Sequence, residues 1–390
     1  MTQLSIAPAL PWRARLGTSA IFFANGFGIG SWAADLPKIK AMLVLSDAQL
    51  SLALFAMAGG AILSMPFAGV ICGRLGGPST ALRYTSVCFG LVLCLPGLAA
   101  SLPILTGVTF ALGTFNGLME VPMNAHATVV ERNWGAAIMS SFHAAWSCGG
   151  LVGASLAGLL IAAGAPTPFL FAVAGTVVLA IVFASGPQLG AKKATTAPGK
   201  AFVWPERKLI GLCLVALLGM LMEGAMADWS AVYLSSIIKL APALAAGGYA
   251  AYAFAMLFGR SFGDYAVRAL GRIRIIMFGA ALAALGTFLA VASHSSVAAV
   301  SGFCLIGLGL SNLVPTVFSA SAAMASSPNL GISMAATIGY AGFLLGPPLI
   351  GAVASFAGLR ASFMLLIVAL VAIVPLAAVS RKFGNERGAK

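Results

Sequence analysis

The stretch 104–130, which reads ILTGVTFALGTFNGLMEVPMNAHATVV, is long and apolar enough to cross a bilayer as one helix. Its single formal charge is Glu120. An ionised carboxylate in hydrocarbon is costly, so such a residue usually faces a protein-lined or water-filled cavity. Asn116, Glu120 and Asn124 are spaced i, i+4 and i+8, which places them on one helical face. The stretch therefore predicts a membrane-spanning helix with a polar stripe, in which Glu120 handles protons.

The composition of the whole chain also indicates a membrane protein. Hydrophobic residues make up 60% of the 390 residues, charged residues make up 8%, and the mean hydropathy is +1.02. An ordinary soluble domain carries about 25% charged residues. Since one span needs roughly 20 mainly apolar residues, we predict an all-α membrane protein with twelve transmembrane helices. The predicted spans lie near 16–34, 48–72, 84–101, 104–130, 136–163, 167–185, 209–236, 243–266, 273–293, 297–323, 332–356 and 360–379.

The 22 Lys and Arg residues, which give a net charge of +13, are distributed unevenly between the predicted loops. If both termini are cytoplasmic, eighteen of these residues, including Arg260, lie in segments on the cytoplasmic side. The four exceptions are Lys38, Lys40, Lys239 and Arg360. Loops rich in Lys and Arg stay in the cytoplasm. We therefore predict a multi-pass protein of a bacterial-type inner membrane with cytoplasmic termini and no Lys or Arg at mid-membrane.

The polar stretch 186–208 divides the chain near its middle, and the two sides repeat each other weakly. Trp32 precedes Gly76 in the first half much as Trp229 precedes Gly271 in the second. Two six-span halves around a midplane site are typical of secondary transporters. The predicted parts are a six-span bundle over 1–186, a cytoplasmic linker over 187–207, and a six-span bundle with a short tail over 208–390.

The predicted loop between the second and third spans contains Gly69, Gly73, Arg74 and Gly76. It resembles the Gly-x-x-x-Asp-Arg-x-Gly signature of the major facilitator superfamily, with Gly73 in place of the aspartate. The resemblance covers the chain from 16 to 380. It implies two pseudo-symmetric six-helix bundles that rock about a central substrate site.

The corresponding loop of the second half keeps its acid, Asp264, which is followed by Arg268 and Arg272. An acid beside arginines at span ends can bind neighbouring helix ends in one state and release them in another. We predict a cytoplasmic gate that contains Arg74, Asp264, Arg268 and Arg272 and is stronger in the second half. Ordinary surface charge is the alternative.

Glu120 and Asn124 carry a second, narrower resemblance. Fucose-proton symporters have Glu-x-x-x-Asn near the middle of the fourth span, and the match implies that Glu120 is the proton-coupling carboxylate. Pro122 departs from that motif. Because proline has no N–H, the carbonyl of Leu118 loses its helical partner and is free for water or a ligand.

Two further acids lie in the seventh predicted span, Glu223 near its centre and Asp228 nearer its outer end. At about 100° per residue they point roughly 140° apart, so they do not form one pair. With no buried Lys or Arg predicted, each is expected to be protonated part of the time or open to water. Both are predicted proton-coupling residues. The alternatives are a structural hydrogen bond for Glu223 and a wetted rim position for Asp228.

Polar and aromatic side chains in other spans are candidates for contact with a substrate. Asn25 and Trp32 share a face of the first span, and His143 lies near Trp146 on the fifth. A hydrogen bond between helices would also explain Asn25 and His143, and an interfacial anchor would explain Trp32. The predicted substrate-binding residues are Asn25, Trp32, Asn116, Asn124, His143, Trp146, Trp229, Asn312 and Tyr340. Five of them, Asn25, Trp32, Trp146, Trp229 and Asn312, are expected to share one central cavity.

Prolines predict an irregularity in the eleventh span. Pro347 and Pro348 follow Gly346 inside this apolar stretch. A proline inside a helix removes one backbone hydrogen bond and crowds the preceding turn. We therefore expect the eleventh span to break or bend there.

The expected function is transport without chemistry, cofactor or metal. We expect proton-coupled symport of a neutral, sugar-like solute by alternating access, because a lack of buried cations disfavours a dianion and because amides suit hydroxyl groups. The alternative is proton-driven efflux of drugs or metabolites, in which the buried acids attract a lipophilic cation. A receptor or scaffold needs no buried acids. The expected partners are the solute, protons and lipid, without nucleic acid, and the protein is expected to be a monomer.

Overall fold

The computed structural model describes residues 11–135, 138–190, 206–326 and 328–385. Within these ranges the chain forms fourteen α-helices and short connections. The helices are α1 Pro11–Met42, α2 Asp47–Arg74, α3 Pro78–Leu93, α4 Leu102–Trp134, α5 Met139–Ala162, α6 Thr167–Ser185, α7 Ile210–Ser236, α8 Pro242–Ala245, α9 Gly247–Leu270, α10 Arg272–Ala292, α11 Ser296–Leu310, α12 Leu313–Met324, α13 Pro328–Ala357 and α14 Leu359–Asn385.

These helices make twelve passages through the bundle. Eleven segments of the described chain are long and apolar enough to cross a membrane. One of them, Ser296–Met324, joins α11 and α12, and another, Pro242–Gly263, joins the single turn α8 to α9. The twelfth passage is α1, whose 32 residues extend about 48 Å at 1.5 Å per residue. It is less apolar because Asn25 and several glycines and serines lie along it. The predicted all-α membrane fold is confirmed.

The same helix pairs pack in each half. In the first half, α1 packs on α5, α2 on α4, and α3 on α6. In the second half, α7 packs on α13, α9 on α11, and α10 on α14. Counted by passage, each half pairs its first with its fifth, its second with its fourth, and its third with its sixth. The fold is thus two pseudo-symmetric six-helix bundles. The predicted boundaries at 186 and 208 stay a prediction, since 191–205 lies outside the described residues.

Short sequence signals set several helix ends. Ser46 and Gln49 form a capping box at the start of α2, with the Gln49 N–H donating to Ser46 Oγ at 3.2 Å and the Ser46 N–H to Gln49 Oε1 at 2.9 Å. Gly76 and Gly271 have φ of +80° and +82°, a conformation that residues with a Cβ rarely adopt. They end the second passage of each half at equivalent positions, as the weak repeat predicts.

The halves touch through α5 with α9, α2 with α13, and α1 with α7. We call the side where α1 begins and α14 ends the terminal side, and the opposite side the far side. On the far side the Ser51 hydroxyl donates to the carbonyl of Pro347. Gly158 there lies against Ala243 and Ala246, at the turn α8. The far ends of the two halves are therefore in direct contact.

The interrupted passage is the tenth and not the eleventh. α13 is one continuous helix through Pro347 and Pro348, so no break is present there. The tenth passage is divided between α11 and α12. Pro315 is the third residue of α12, and because it has no N–H, it leaves the carbonyl of Ser311 free for another donor.

Candidate functional site

The first-half wall of the site is set by a close crossing of α1 and α5. A Cβ on Gly26 would lie 2.0 Å from the carbonyl oxygen of Trp146, and one on Gly149 would lie 2.1 Å from that of Phe23. Glycine therefore lets the two backbones touch. The crossing puts Asn25 beside Trp146, whose indole Nε1 donates to Asn25 Oδ1 at 2.8 Å.

Asn25 also reaches α4. Its Nδ2 donates to Asn116 Oδ1 at 2.8 Å and lies 3.5 Å from the sulfur of Met119. Asn25 is 4% exposed, so its amide is fixed by a donor on α5 and an acceptor on α4. Because a buried polar group is costly unless it is paired, these bonds hold the three side chains in one arrangement. We call Asn116, Asn25 and Trp146 the amide chain.

One turn along α4 from the amide chain, Glu120 contacts the second half. The hydroxyl of Tyr340 on α13 donates to Glu120 Oε1 at 2.5 Å. Asn124 is directed differently, because its Nδ2 donates to the main-chain carbonyl of Glu120 at 3.0 Å. The predicted stripe is therefore divided: Asn116 bonds to α1, Glu120 bonds to α13, and Asn124 bonds back to its own helix.

The partner of Glu223 is Arg260, contrary to the sequence prediction. Arg260 lies ten residues before the end of α9 and is 8% exposed. Its Nη2 is 3.8 Å from Glu223 Oε2. The prediction of no Lys or Arg at mid-membrane is therefore wrong, as is the expectation that Glu223 has no cation beside it. Arg260 lies inside the predicted span 243–266 but was counted as a cytoplasmic residue, because a count of Lys and Arg does not show which side chain turns into the bundle.

Arg260 also contacts the first half. Its Nη1 donates to Ser147 Oγ at 2.7 Å and lies 3.5 Å from the carbonyl oxygen of His143, both on α5. Its guanidinium carbon is 5.9 Å from the centroid of the Trp146 ring, within range of a cation–π interaction. Arg260 therefore connects the amide chain of the first half to Glu223 of the second.

Residues at the interruption between α11 and α12 also contact Arg260 and the adjacent backbone of α9. The carbonyl of Ser311, which Pro315 leaves free, accepts from Arg260 Nε at 3.4 Å. Asn312 donates from Nδ2 to the carbonyl of Gly259 at 2.9 Å. The amide of Asn312 thus ties the broken passage to α9 next to Arg260, and it is not directed at the amide chain.

Trp32 and Trp229, which were predicted to line the same cavity, are buried between packed helices. Trp32 and Trp229 are 1% and 0% exposed, and neither indole N–H has an acceptor among the described residues. The Trp32 ring packs against Phe171 of α6, with the centroids 6.2 Å apart. Of the five residues expected to share one cavity, the structure brings together Asn25 and Trp146.

Four other interior side chains make no hydrogen bond among the described residues. His143 packs its ring edge-on against Phe22, with the centroids 5.3 Å apart. Asp228 is partly buried on α7 and has no hydrogen bond or ion pair within the described part of the chain. Tyr249 and Tyr252 of α9 lie near these charges with ring centroids 5.9 Å apart. Neither tyrosine was predicted, because an apolar span gives no signal for which aromatic faces inward.

Asp35 is a buried acid that the sequence analysis missed. It is 0% exposed. The hydroxyl of Thr167 at the start of α6 is buried beside its carboxylate and Lys38 is a nearby cation, but neither carboxylate oxygen has a partner within strict hydrogen-bond geometry among the described residues. Asp35 falls just past the predicted span 16–34, but α1 continues to Met42. Recognising this longer helix would have placed the acid inside the bundle.

The predicted cytoplasmic gate is not assembled from the side chains that the structure describes. Arg74, Arg268 and Arg272 are exposed at helix ends on the terminal side. None of the three forms an ion pair with a described residue. The side chain of Asp264 lies outside the described residues, so the gate stays a prediction.

The twelve passages, their repeated pairing and the partly buried carboxylates on facing halves are features of secondary transporters. Residues 18–337 match the Major Facilitator Superfamily. The chain belongs to this superfamily. An uncharacterized MFS-type transporter of Yersinia pestis is 36% identical over 373 residues, which cover 93% of this chain and 94% of that protein. The membrane protein MosC of Rhizobium meliloti is 31% identical over 361 residues, covering 92% and 88%.

Solved structures of two other transporters share the fold. A bacterial homolog of the human lysosomal transporter Spinster, in an inward-facing and unoccupied conformation, superimposes with a TM-score of 0.73 at 17% identity and covers 96% of this chain and 98% of its own. The nucleoside transporter NupG gives 0.72 at 12% identity, covering 95% and 98%. This major facilitator protein is thus a multi-pass secondary transporter of a small molecule, and not an enzyme. The relatives named here lend no support to the narrower resemblance to fucose-proton symporters.

Proposed function

We propose that this protein is a proton-coupled symporter that moves a small hydrophilic solute by alternating access between its two halves. The observation that carries the proposal is the hydrogen bond between Tyr340 and Glu120, 2.5 Å long, which joins α13 to α4 across the two halves. A carboxylate at such a junction can bind and release a proton as the halves separate and rejoin. Glu120 is therefore the main coupling residue, with Glu223 and Asp228 as further proton sites.

The solute binds between the amide chain and the facing helices of the second half. Amide and indole groups offer donors and acceptors for hydroxyl groups, which supports a polar, hydroxylated solute. The expectation of a neutral solute depended on the absence of a buried cation. Arg260 is such a cation, so this reason against an anionic solute no longer applies.

The contact of the far ends corresponds to one state of the transport cycle. With cytoplasmic termini, as the Lys and Arg distribution predicts, the far side faces outward and this conformation is closed to the outside. Opening requires that Ser51 separate from Pro347 and α8 from α5. The exposed arginines Arg74, Arg268 and Arg272 are then free to pair on the terminal side in the opposite state.

Efflux of lipophilic cations has less support. Arg260 places a fixed positive charge 3.8 Å from Glu223, so a cationic solute would meet repulsion at one of the acids that was expected to attract it. Proton-driven export of an uncharged or anionic metabolite differs from symport only in direction, and uptake measurements separate the two.

The test is Glu120→Gln in proteoliposomes, with a solute first identified by thermal stabilisation of the purified protein. The variant keeps the shape of the side chain but cannot titrate. We expect it to bind the solute and to exchange it between the two sides, yet to lose accumulation driven by a pH gradient. Asp47→Asn, which removes a partly exposed acid paired with Lys40, is the matched control and should keep accumulation. Normal accumulation by a folded Glu120→Gln protein would exclude the coupling role.

A further inference from the structure

One edge of the buried Arg260 guanidinium is unused. Nη1 and Nε have hydrogen-bond acceptors, but Nη2 has none among the described residues, and Glu223 Oε2 is 3.8 Å away. A hydrogen bond from nitrogen to oxygen is about 2.7–3.2 Å long. Glu223 Oε1 is also buried and has no hydrogen-bond partner in the described structure. The pair is thus close enough to attract but is not hydrogen-bonded.

An unsatisfied guanidinium edge inside a transporter is suited to a carboxylate. Arginine presents its N–H groups in a planar fork that matches two carboxylate oxygens, and such bonds are among the strongest in proteins. Because Arg260 is 8% exposed and Glu223 is too far from Nη2 for a hydrogen bond, Arg260 gains by binding an anion that fits this edge better.

We propose that Arg260 binds the carboxylate of a hydroxylated monocarboxylic acid, and that Glu223 takes up a proton when this happens. The inference rests on the proposed function, since the same site and the same proton uptake are used for transport. When Glu223 is ionised it competes for Arg260. When Glu223 is protonated, it no longer competes with the solute for Arg260.

The neighbours of Arg260 favour one negative charge on the solute over two. The groups within the amide chain are neutral, and among the described Lys and Arg residues only Arg260 is buried as a whole residue. A single cation neutralises one carboxylate but leaves a dianion undercompensated in a low-dielectric site. The hydroxyl groups of the solute then have the amides of Asn25 and Asn116 as partners.

The titratable and charged groups near the Glu223–Arg260 pair come from five helices. They are Glu120 on α4, His143 on α5, Asp228 on α7, Tyr249 and Tyr252 on α9, and Tyr340 on α13. The tyrosines keep their protons at neutral pH, since an ordinary tyrosine titrates near 10. The acids and His143 can titrate, so a change of pH alone does not identify Glu223 and a substitution at Glu223 is required.

The proposal also predicts the net charge that crosses the membrane with each solute molecule. With one proton transported in total, handled in turn by Glu223 and Glu120, a monocarboxylate carries no net charge, whereas a neutral solute carries one positive charge. Accumulation of the acid should therefore respond to a pH gradient and be insensitive to a membrane potential imposed at equal pH.

The binding test uses matched probes that differ in the carboxylate: gluconate with glucitol, and lactate with propane-1,2-diol. Thermal stabilisation of the full-length protein in detergent is measured at pH 5.5 and 7.5. We expect at least one carboxylate to stabilise the protein, with roughly ten-fold tighter binding at pH 5.5, while its neutral counterpart has no effect. Equal stabilisation by the neutral counterpart, or none by either carboxylate, would overturn the proposal.

Two variants make the test specific. Glu223→Gln imitates the protonated acid, so carboxylate binding should stay tight and become independent of pH between 5.5 and 7.5. Arg260→Gln combined with Glu223→Gln removes both charges without leaving either buried alone, and binding of the carboxylate should be lost. Persistent pH dependence in the first variant, or persistent binding in the second, contradicts the proposal.

Transport measurements distinguish this inference from the proposed function. If a neutral probe is bound and is accumulated under a pH gradient by the wild type but not by Glu120→Gln, proton coupling stands and the carboxylate site is wrong. If a carboxylate is bound through Arg260 but its movement ignores the pH gradient, the proton-coupled function is wrong instead.

Discussion

Glu120 and Glu223 are partly buried acids on facing halves of the bundle, but they have different kinds of partner. Glu120 accepts a hydrogen bond from the neutral phenol of Tyr340, while Glu223 faces the cationic Arg260 at 3.8 Å. A phenol can bond to a carboxyl group in either protonation state, whereas a guanidinium favours only the ionised one. Protonation therefore leaves the contact at Glu120 possible but releases the cation at Glu223. The two acids suit different steps of one cycle.

The two sides of the site are also held in place differently. On the Glu120 side, glycines allow the backbones of α1 and α5 to touch. Asn25 is held there by its hydrogen bonds with Asn116 and Trp146. On the Glu223 side, Pro315 removes a backbone donor, and the freed carbonyl of Ser311 accepts from Arg260. One side is positioned by close packing and the other by charge and an interrupted helix, and variants can separate these causes.

The largest expected effect comes from removing the cation. Arg260→Gln leaves Glu223, whose side chain is 15% exposed, beside a neutral amide. We expect the free energy of unfolding to fall by about 3 kcal/mol, the lower end for breaking a buried pair, because Glu223 can take up a proton instead. Denaturant or thermal unfolding in detergent measures the loss.

The matched control for that variant also replaces the acid. Arg260→Gln together with Glu223→Gln leaves no unpaired buried charge and should recover most of the stability. If the double variant is as unstable as the single one, the contacts of Arg260 with Ser147 and Ser311 matter more than the ion pair. The contrast drawn between the two acids would then be wrong.

The packing on the Glu120 side is tested by adding one methyl group. Gly26→Ala would bring a Cβ to 2.0 Å from the carbonyl of Trp146, so α1 and α5 must move apart. We expect a loss of about 2 kcal/mol, within the range for overpacking, measured by thermal unfolding. Gly59→Ala, where nothing lies within 4 Å of the new atom, should leave the stability unchanged or slightly increased. Equal effects of the two substitutions would remove the packing argument.

A smaller effect is expected at the neutral partner of Glu120. Tyr340→Phe removes the hydroxyl and leaves the ring in place. Loss of one hydrogen bond to an acid should cost about 1.5 kcal/mol, or roughly ten-fold in the rate of pH-driven uptake. Tyr265→Phe is the control, because Tyr265 is 71% exposed on α9. An unchanged uptake rate in Tyr340→Phe would mean that Glu120 does not depend on the contact between the halves.

The smallest effect is expected at an acid outside the membrane-spanning helices. Glu206 accepts from Lys208 at 2.8 Å and from the N–H and hydroxyl of Ser326 at 2.9 and 2.6 Å. These bonds lower the pKa of Glu206 from 4.5 to about 2. Because the folded-state pKa lies below the unfolded one, the stability that Glu206 contributes is present above about pH 4.5 and is lost as the pH falls toward 2.

Glu206→Gln should therefore lower the melting temperature slightly at pH 7, as expected of an exposed ion pair. The difference from wild type should narrow at pH 3, where thermal unfolding of both proteins is compared. A difference that grows on acidification would contradict the assignment. Exposed Glu206 thus provides a reference for how much more a buried acid such as Glu223 depends on its cation.

Much of the fold follows from local sequence, and errors begin where helix length matters. Long apolar stretches predicted the passages, and the i, i+4 spacing placed Glu120 on an inward face, because both depend on residues close in sequence. Asp35 was missed because hydropathy locates a span but not its ends, and α1 extends past the predicted boundary at 34. Arg260 lies inside the predicted span 243–266 but was counted with the cytoplasmic arginines, because a count of Lys and Arg does not show which side chain turns into the bundle.

The sequence by itself determined the number of passages, their division into two related halves, and the helical face on which Glu120 lies. Tertiary structure alone decided the partners: Tyr340 lies 220 residues from Glu120, and Trp146 lies 121 residues from Asn25. Hydropathy and helical period are properties of one segment, so they indicate only that a polar group must face inward. Which group it meets depends on how helices from both halves cross, and that is set by close contacts such as the one at Gly26.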